Sequence, residues 1–180
     1  MFKEKRMKKQ LFMIVLTSII IISGFSGCTE KDPLSGLGYI QRDEGFGLNP
    51  PEKWIVNEND PKFSVVFETT SATGYLITFG VSVAPCLPEQ TLSFIVEGLL
   101  QLFETNENCS VVSNNTRTIN GMNAHEIIIV MSFESMDVKQ KYVLIKKDNR
   151  IFNLLYSAPF ELYDNYISVV ETSINSFIIR

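Results

Sequence analysis

Alternation is the strongest signal along this chain. Tyr75, Ile77, Phe79, Val81 and Val83 alternate with Leu76, Thr78, Gly80 and Ser82, the period of two that sends successive side chains to opposite faces of a β strand. Pro85 and Pro88 end the run, because proline cannot donate to a ladder. Residues 63–69, rich in Val and Phe, predict the strand before it, and residues 45–54 predict a shorter one that turns at Asn49-Pro50-Pro51. Across residues 91–107 the period changes: Leu92, Ile95, Val96, Leu99, Leu100 and Phe103 recur at helical spacing. Residues 111–119, 123–134, 139–147 and 151–157 then predict four further strands. The first two are joined by Asn120-Gly121, the dipeptide best suited to a type I′ turn, and the last two by Asp148-Asn149.

In the strand over residues 123–134 the odd positions His125, Ile127, Ile129, Met131 and Phe133 make one face, while Ile128 and Val130 make the other face apolar as well. Both faces of the central strands therefore need cover. A second helix, over residues 159–177, supplies one layer: Tyr163, Tyr166, Ile167, Val170, Ile174, Phe177 and Ile178 fall on one stripe. Pro159 suits a first turn, and Glu161 complements the helix dipole there. Strands, helix, four antiparallel strands and helix make an α+β fold, an antiparallel sheet flanked by helices.

The N-terminus follows a different rule. Residues 2–9, FKEKRMKK, are basic, and residues 11–22 are almost wholly aliphatic, the layout of a signal peptide over residues 1–27. The apolar run is shorter than the roughly 20 residues a helix needs to cross a bilayer, although tilt and thinning leave an uncleaved anchor open. Phe25-Ser26-Gly27-Cys28 resembles the lipobox of prokaryotic lipoproteins, with Phe25 where Leu is more usual. Lipid attachment at Cys28 would supply two acyl chains, the number stable anchoring takes. Residues 28–38 then read as the lipidated Cys and a polar, Gly/Pro-containing tether, and residues 39–180 as the domain.

Charge narrows the partners. The chain has 16 Lys and Arg against 20 Asp and Glu; residues 1–27 hold five of the bases and one acid, so the remainder has 11 and 19, a net of −8. Nucleic-acid phosphates require clustered Lys and Arg, and the basic runs Lys139-Gln140-Lys141 and Lys146-Lys147 read as a solvated strand face, so nucleic acid is set aside. The 45% of hydrophobic residues suffices for a core.

Chemistry-bearing residues are sparse. Cys86 and Cys109 flank the first helix, whose length of about 25 Å exceeds the reach of a disulfide, so two free thiols are expected. The lone His125 shares a strand face with Ile127 and Ile129, which favours a structural role over general-base or metal-ligand duty. No G-x-S-x-G elbow, P-loop or G-x-G-x-x-G stands in a strand–helix context; no catalytic residue, metal or cofactor is assigned. Glu126, Glu134 and Asp137 read as solvated strand ends. Trp54, beside Pro50 and Pro51, is a candidate ledge for a partner or ligand, against the simpler reading that it caps the core. Asn108 and Asn114 head N-x-S/T triplets and are candidate glycan acceptors.

GFGLNPPEKWIV, the helix after a strand ending in Pro, the Asn-Gly turn before a long strand, and the closing YDNYISVVETSINSFII resemble the PsbP family across Gly38 to Arg180. The resemblance implies an α/β/α sandwich around a central antiparallel sheet, and relatives that act as extrinsic accessory or partner-binding subunits. Together these readings give the expectation of a non-catalytic accessory or ligand-binding module held at the extracytoplasmic face of a cell membrane by lipid or by an uncleaved helix. An extracytoplasmic hydrolase using carboxylates in a sheet cleft, or a structural envelope protein, are the alternatives.

Overall fold

The structure is a computed structural model that describes residues 32–180. The segment read as a signal peptide, and Cys28, lie outside the described residues. In chain order the elements are β1 (Tyr39–Gln41), β2 (Phe46–Leu48), β3 (Ile55–Asn57), β4 (Val65–Thr70), β5 (Leu76–Pro85), α1 (Leu92–Glu104), β6 (Cys109–Ile119), β7 (Met122–Ser132), β8 (Asp137–Lys147), β9 (Arg150–Pro159), α2 (Tyr163–Asn175) and β10 (Ile178–Ile179). The long alternating segments form one sheet in the order β3-β4-β5-β9-β8-β7-β6, with each neighbouring pair antiparallel. The short strands form a second sheet, β1-β2-β10.

Register sorts the side chains into rows. Val65, Val81, Leu154 and Val143 face one another across β4, β5, β9 and β8, and so do Phe67, Phe79 and Tyr156 across β4, β5 and β9. This face is the larger core, closed by Tyr163, Val170 and Ile174 of α2, by Phe177, and by Phe46, Leu48 and Ile179 of the small sheet. The opposite face is apolar where β7 and β8 carry Ile127, Ile129 and Leu144, and there α1 covers it with Val96, Leu92, Leu99, Leu100 and Phe103. The result is the expected α/β/α sandwich about an antiparallel sheet, with the small sheet added to the α2 layer.

Helix ends and turns follow local chemistry. Thr91 caps α1, its hydroxyl accepting from Phe94 N–H at 3.1 Å. At the Asn120-Gly121 turn both residues have positive φ, 47° and 79°, as a type I′ turn requires. Gly47 suits a close approach of strands, since a Cβ there would stand 3.0 Å from the backbone oxygen of Tyr39 and 2.8 Å from Leu37 Cδ1.

Four expectations are corrected. The segment read as a tether is packed from Leu34, which is buried, and the compact unit begins at Pro33. The last helix starts at Tyr163 after a 3-10 turn over Phe160–Leu162 and stops at Asn175, because Ile178 and Ile179 pair with Gly47 and Phe46 of β2. Phe133 lies beyond β7 in the turn to β8, where its N–H donates to Met136 O at 3.0 Å and its ring is exposed. Lys141 is not on a solvated face: it is 6% exposed, in the row of Phe67, Phe79 and Tyr156.

The Asn120 side chain ties its turn to the end of α2, its amide donating to Asn175 O at 3.0 Å and Phe177 O at 2.9 Å. Asn120→Ala should lower unfolding stability by about 2 to 3 kcal/mol, from two lost hydrogen bonds and an alanine forced to positive φ. Asn120→Gly, which keeps the backbone freedom, should lose about half as much. Urea midpoints for the two variants separate the terms, and equal losses would show that the backbone conformation contributes nothing.

Candidate functional site

The one charged cluster inside the described fold is laid out by strand register. Arg117 of β6, Glu126 of β7 and Lys141 of β8 all point to the α2 side of the sheet, each one row further along than the last. Glu171 of α2 comes down onto them. Arg117 Nη1 stands 2.6 Å from Glu126 Oε2, and its Nη2 stands 3.0 Å from Glu171 Oε2 and 2.8 Å from Asn175 Oδ1. Lys141 Nζ is 3.1 Å from Glu126 Oε2 and also pairs with Glu171 Oε1. Two cations and two carboxylates thus neutralise one another, and each carboxylate meets both cations.

Such a cluster specifies geometry more than it stabilises, because desolvation offsets much of the Coulomb gain. Burial alone would raise the Glu171 carboxyl; hydrogen bonds from Arg117 and Lys141 outweigh it and hold the group below the ordinary carboxylate range. The nearby Tyr163 phenol is pushed far above its ordinary value, first by burial and then by Glu126, Glu171 and Asp164. A carboxylate held ionised and a phenol held neutral are poor acid–base partners near neutrality.

The residues singled out from sequence do not converge. His125 is half-buried on the opposite face, its Nε2 bonded to Asn114 Oδ1, and burial pushes its pKa down. The depression of about 470 Å³ beside it, lined by Leu92, Ser93, Thr116 and Asn123 among others, holds no carboxylate and no thiol. Cys86 and Cys109 are free and half-buried. Asn108 is exposed just before β6, whereas Asn114 is engaged by His125. Glu134 and Asp137 stand at the β7–β8 turn, away from Glu126, which belongs to the ion cluster. Among the described residues no group of three or more His, Cys, Asp or Glu is placed to hold a metal ion. Trp54 is half-buried, its ring edge-on to Tyr166 of α2 at 6.2 Å, so it caps the core, while its neighbours Ile55 and Val56 are exposed.

Sequence reasoning missed a cleft of about 310 Å³ where three chain reversals meet at one end of the large sheet. Its walls are Thr73 and Tyr75 from the β4–β5 turn, Ser135, Met136 and Asp137 from the β7–β8 turn, and Pro159 to Leu162 after β9. Tyr75, Met136 and Phe160 expose 46%, 38% and 50% of their surface, and Phe133 stands exposed on the same turn as Met136. The walls are firm. Ser71 is buried and closes the β4–β5 turn: its hydroxyl shares a hydrogen bond with the Thr73 hydroxyl (2.9 Å) and accepts from Tyr75 N–H (3.0 Å). Lys139 Nζ lies 4.2 Å from the Tyr163 ring centre and 5.8 Å from that of Phe160, a cation–π arrangement that steadies the Phe160 side. Aromatic and thioether walls with a few hydroxyl and carboxylate groups at the rim suit recognition of a ligand or a partner's side chain. The signal available in sequence was an apolar residue inside each of three turns, Tyr75, Met136 and Phe160, where turn residues are ordinarily polar.

No family model matches the sequence, and no curated protein matches it. Solved structures do. The solution structure of the cyanobacterial PsbP protein CyanoP from Synechocystis aligns over 79% of this chain and 91% of its own, with a TM-score of 0.58 at 13% identity. LpqN of Mycobacterium tuberculosis, described as involved in cell envelope biogenesis, aligns over 77% and 87%, with a TM-score of 0.63 at 12% identity. PA94 of Pseudomonas aeruginosa, a protein of unknown function, aligns over 79% and 95%, with a TM-score of 0.60 at 14% identity. The chain has the PsbP-like fold, and at these identities the likeness is one of fold.

Removing one member of the ion cluster leaves an uncompensated charge. Lys141→Met should cost about 2 to 4 kcal/mol, measured by chemical denaturation. The pH dependence follows in sign: Glu171 has a lower pKa folded than unfolded, so its stabilisation is complete above the ordinary carboxylate pKa and is lost as pH falls from there through the folded value. Glu171→Gln should therefore flatten the fall in stability of the wild-type protein below about pH 4.5. Parallel acid profiles for the two proteins would contradict the assignment.

Proposed function

We propose that this protein is a non-catalytic accessory module, tethered at the extracytoplasmic face of a cell membrane, that recognises a ligand or a protein partner through the cleft at the turn end of its sheet. The observation that carries the reading is the cleft itself: three turns, distant in sequence, place the exposed side chains of Tyr75, Met136 and Phe160 around one concavity. Exposed apolar side chains gathered around a concavity are the ordinary mark of a binding surface. The ionisable groups that the fold brings together are balanced against one another beneath α2, which fits a structural duty better than a reactive one. The signal-peptide pattern and Cys28 support export and tethering. The description of LpqN as an envelope-biogenesis protein is in keeping with an envelope role for a chain of the same fold.

One observation favours a second reading. Asp137 and Glu161 both line the cleft, the placement that a carboxylate-dependent hydrolase would use. Both are exposed, however, whereas a general acid needs an environment that shields it from water.

The tether and the site are tested separately. Cys28→Ser should abolish incorporation of labelled fatty acid and move the protein from the membrane to the soluble fraction with its melting temperature unchanged; an unlabelled wild-type protein contradicts the lipid anchor. A photoreactive amino acid placed at Phe160 or Met136 in the cell should give a discrete crosslinked product, and one placed at the exposed Asn165 should give none. Equal products from all three positions would contradict the cleft as the binding site. His125→Ala should leave the Phe160 crosslink intact and cost about 1 to 3 kcal/mol of stability; loss of the crosslink with stability unchanged would make His125 part of the site.

A further inference from the structure

The outer face of α1 breaks three local rules at once, and nothing in the domain's own packing accounts for them. Gly98 stands in the middle of the helix, where glycine is the least favourable residue after proline. Its φ is not in the left-handed region, and a Cβ built on it would meet nothing within 4 Å. Neither backbone geometry nor a close neighbour in the fold requires it. Phe94 and Leu102, one turn to either side on the same stripe, are 59% and 67% exposed, although α1 has a buried face of its own around Val96. Finally, Glu104 closes the helix and Glu107 follows it, with no basic residue in the last turn, the arrangement that the helix dipole disfavours.

Together these make a groove of about 440 Å³ lined by Phe94, Glu97, Gly98, Leu100, Gln101 and Glu104. Gly98 adds no side chain to it, Phe94 and Leu100 are its apolar lining, Glu97 and Glu104 supply two carboxylates, and the exposed Leu102 stands one turn past Gly98 on the Phe94 stripe. The charge of the groove is unanswered locally. No Lys, Arg or His occurs between Lys62 and Arg117, a stretch containing Glu68, Glu89, Glu97, Glu104 and Glu107. None of the ion pairs among the described residues uses Glu97 or Glu104.

We propose that α1 docks a basic amphipathic helix of a partner protein, which crosses over Gly98, packs apolar side chains against Phe94 and Leu102, and pairs Lys or Arg with Glu97 and Glu104. Each broken rule is then offset by the occupant: the missing side chain lets two helices approach closely, the exposed apolar pair is covered, and the partner's cations answer both the carboxylates and the helix C-terminus. A second copy of this chain fits poorly, because pairing α1 with itself brings the acidic flanks together. An anionic membrane surface is repelled for the same reason. The groove belongs to the layer opposite α2 and is independent of the turn-end cleft.

The test uses the full chain in an uncharged detergent and an 18-residue Leu/Lys amphipathic helix carrying a central benzophenone, with a Leu/Glu helix of the same pattern as control. Crosslinks mapped by mass spectrometry should fall on residues 94–104 with the Leu/Lys peptide and be absent with the Leu/Glu peptide. Gly98→Leu should reduce them at least tenfold while the protein melts no lower than wild type, since leucine is the better helix former. Phe94→Ser with Leu102→Ser, changes confined to exposed positions, should reduce them comparably. Crosslinks spread over the acidic surface, or undiminished in Gly98→Leu, overturn the proposal. So do chain-to-chain crosslinks through α1 in place of peptide, which would identify a second copy as the occupant.

Discussion

Strands β7, β8 and β9 carry apolar side chains on both faces, and most of the architecture answers that constraint. Ile127, Ile129 and Leu144 need a cover on one side; Val143, Ile145, Phe152, Leu154 and Tyr156 need one on the other. A single helix is about 10 Å across, too narrow for a seven-stranded sheet. The α2 side, with the wider row of aromatics, is therefore completed by the three short strands that bring in Phe46, Leu48 and Ile179. On the α1 side the apolar cluster is centred on β7 and β8 and reaches β9 only through Ile151, and small or polar residues, among them Thr78, Gly80, Ser82, Asn153 and Ser157, occupy much of that face of β5 and β9. One helix is enough there.

The buried ion cluster belongs to the same logic. Burying Lys141 in the row of Phe67, Phe79 and Tyr156 is unfavourable by itself, and it is tolerated because register brings Glu126 alongside and α2 supplies Glu171, with Arg117 balancing the second negative charge. An apolar stripe lets a helix slide or rotate on a sheet, whereas four charges with complementary directions admit one placement. The cluster, with Asn120 fastening the carbonyls at the end of α2, fixes where the helix begins and therefore where the Phe160–Leu162 turn enters the cleft.

Much of this was legible in the sequence, for identifiable reasons. Long alternation in residues 75–83 and 123–132 located β5 and β7, helical spacing located α1, and Asn120-Gly121 located a turn whose two positive φ angles are the ones that dipeptide tolerates. The three-residue strands β1 and β3 and the two-residue β10 were not, since so few residues cannot display a period. Lys141 was misread because a lysine between Gln140 and Tyr142 looks like the polar member of a solvent-facing strand; its burial depends on partners 15 residues before it and 30 after it. Of the site, Trp54 was noticed for being an aromatic beside prolines, yet it closes the core against Tyr166. The cleft-forming Tyr75, Met136 and Phe160 come from three separate turns, and only topology brings them together. The outer residues of α1 were hidden by its strong inner stripe, although Gly98 broke the helical pattern in plain view.

The central claim is that recognition resides in the exposed apolar turns and that the charged groups under α2 serve the fold. Hydrogen–deuterium exchange of the protein in native envelope membranes, compared with the same protein after detergent extraction, tests it most directly. The account predicts slowed exchange in the membranes across the turns at Ser71–Leu76, Phe133–Asp137 and Phe160–Leu162, with β6, β7 and β8 around Arg117, Glu126 and Lys141 unchanged. Unaltered exchange at the three turns, together with changes centred on those strands, would contradict it.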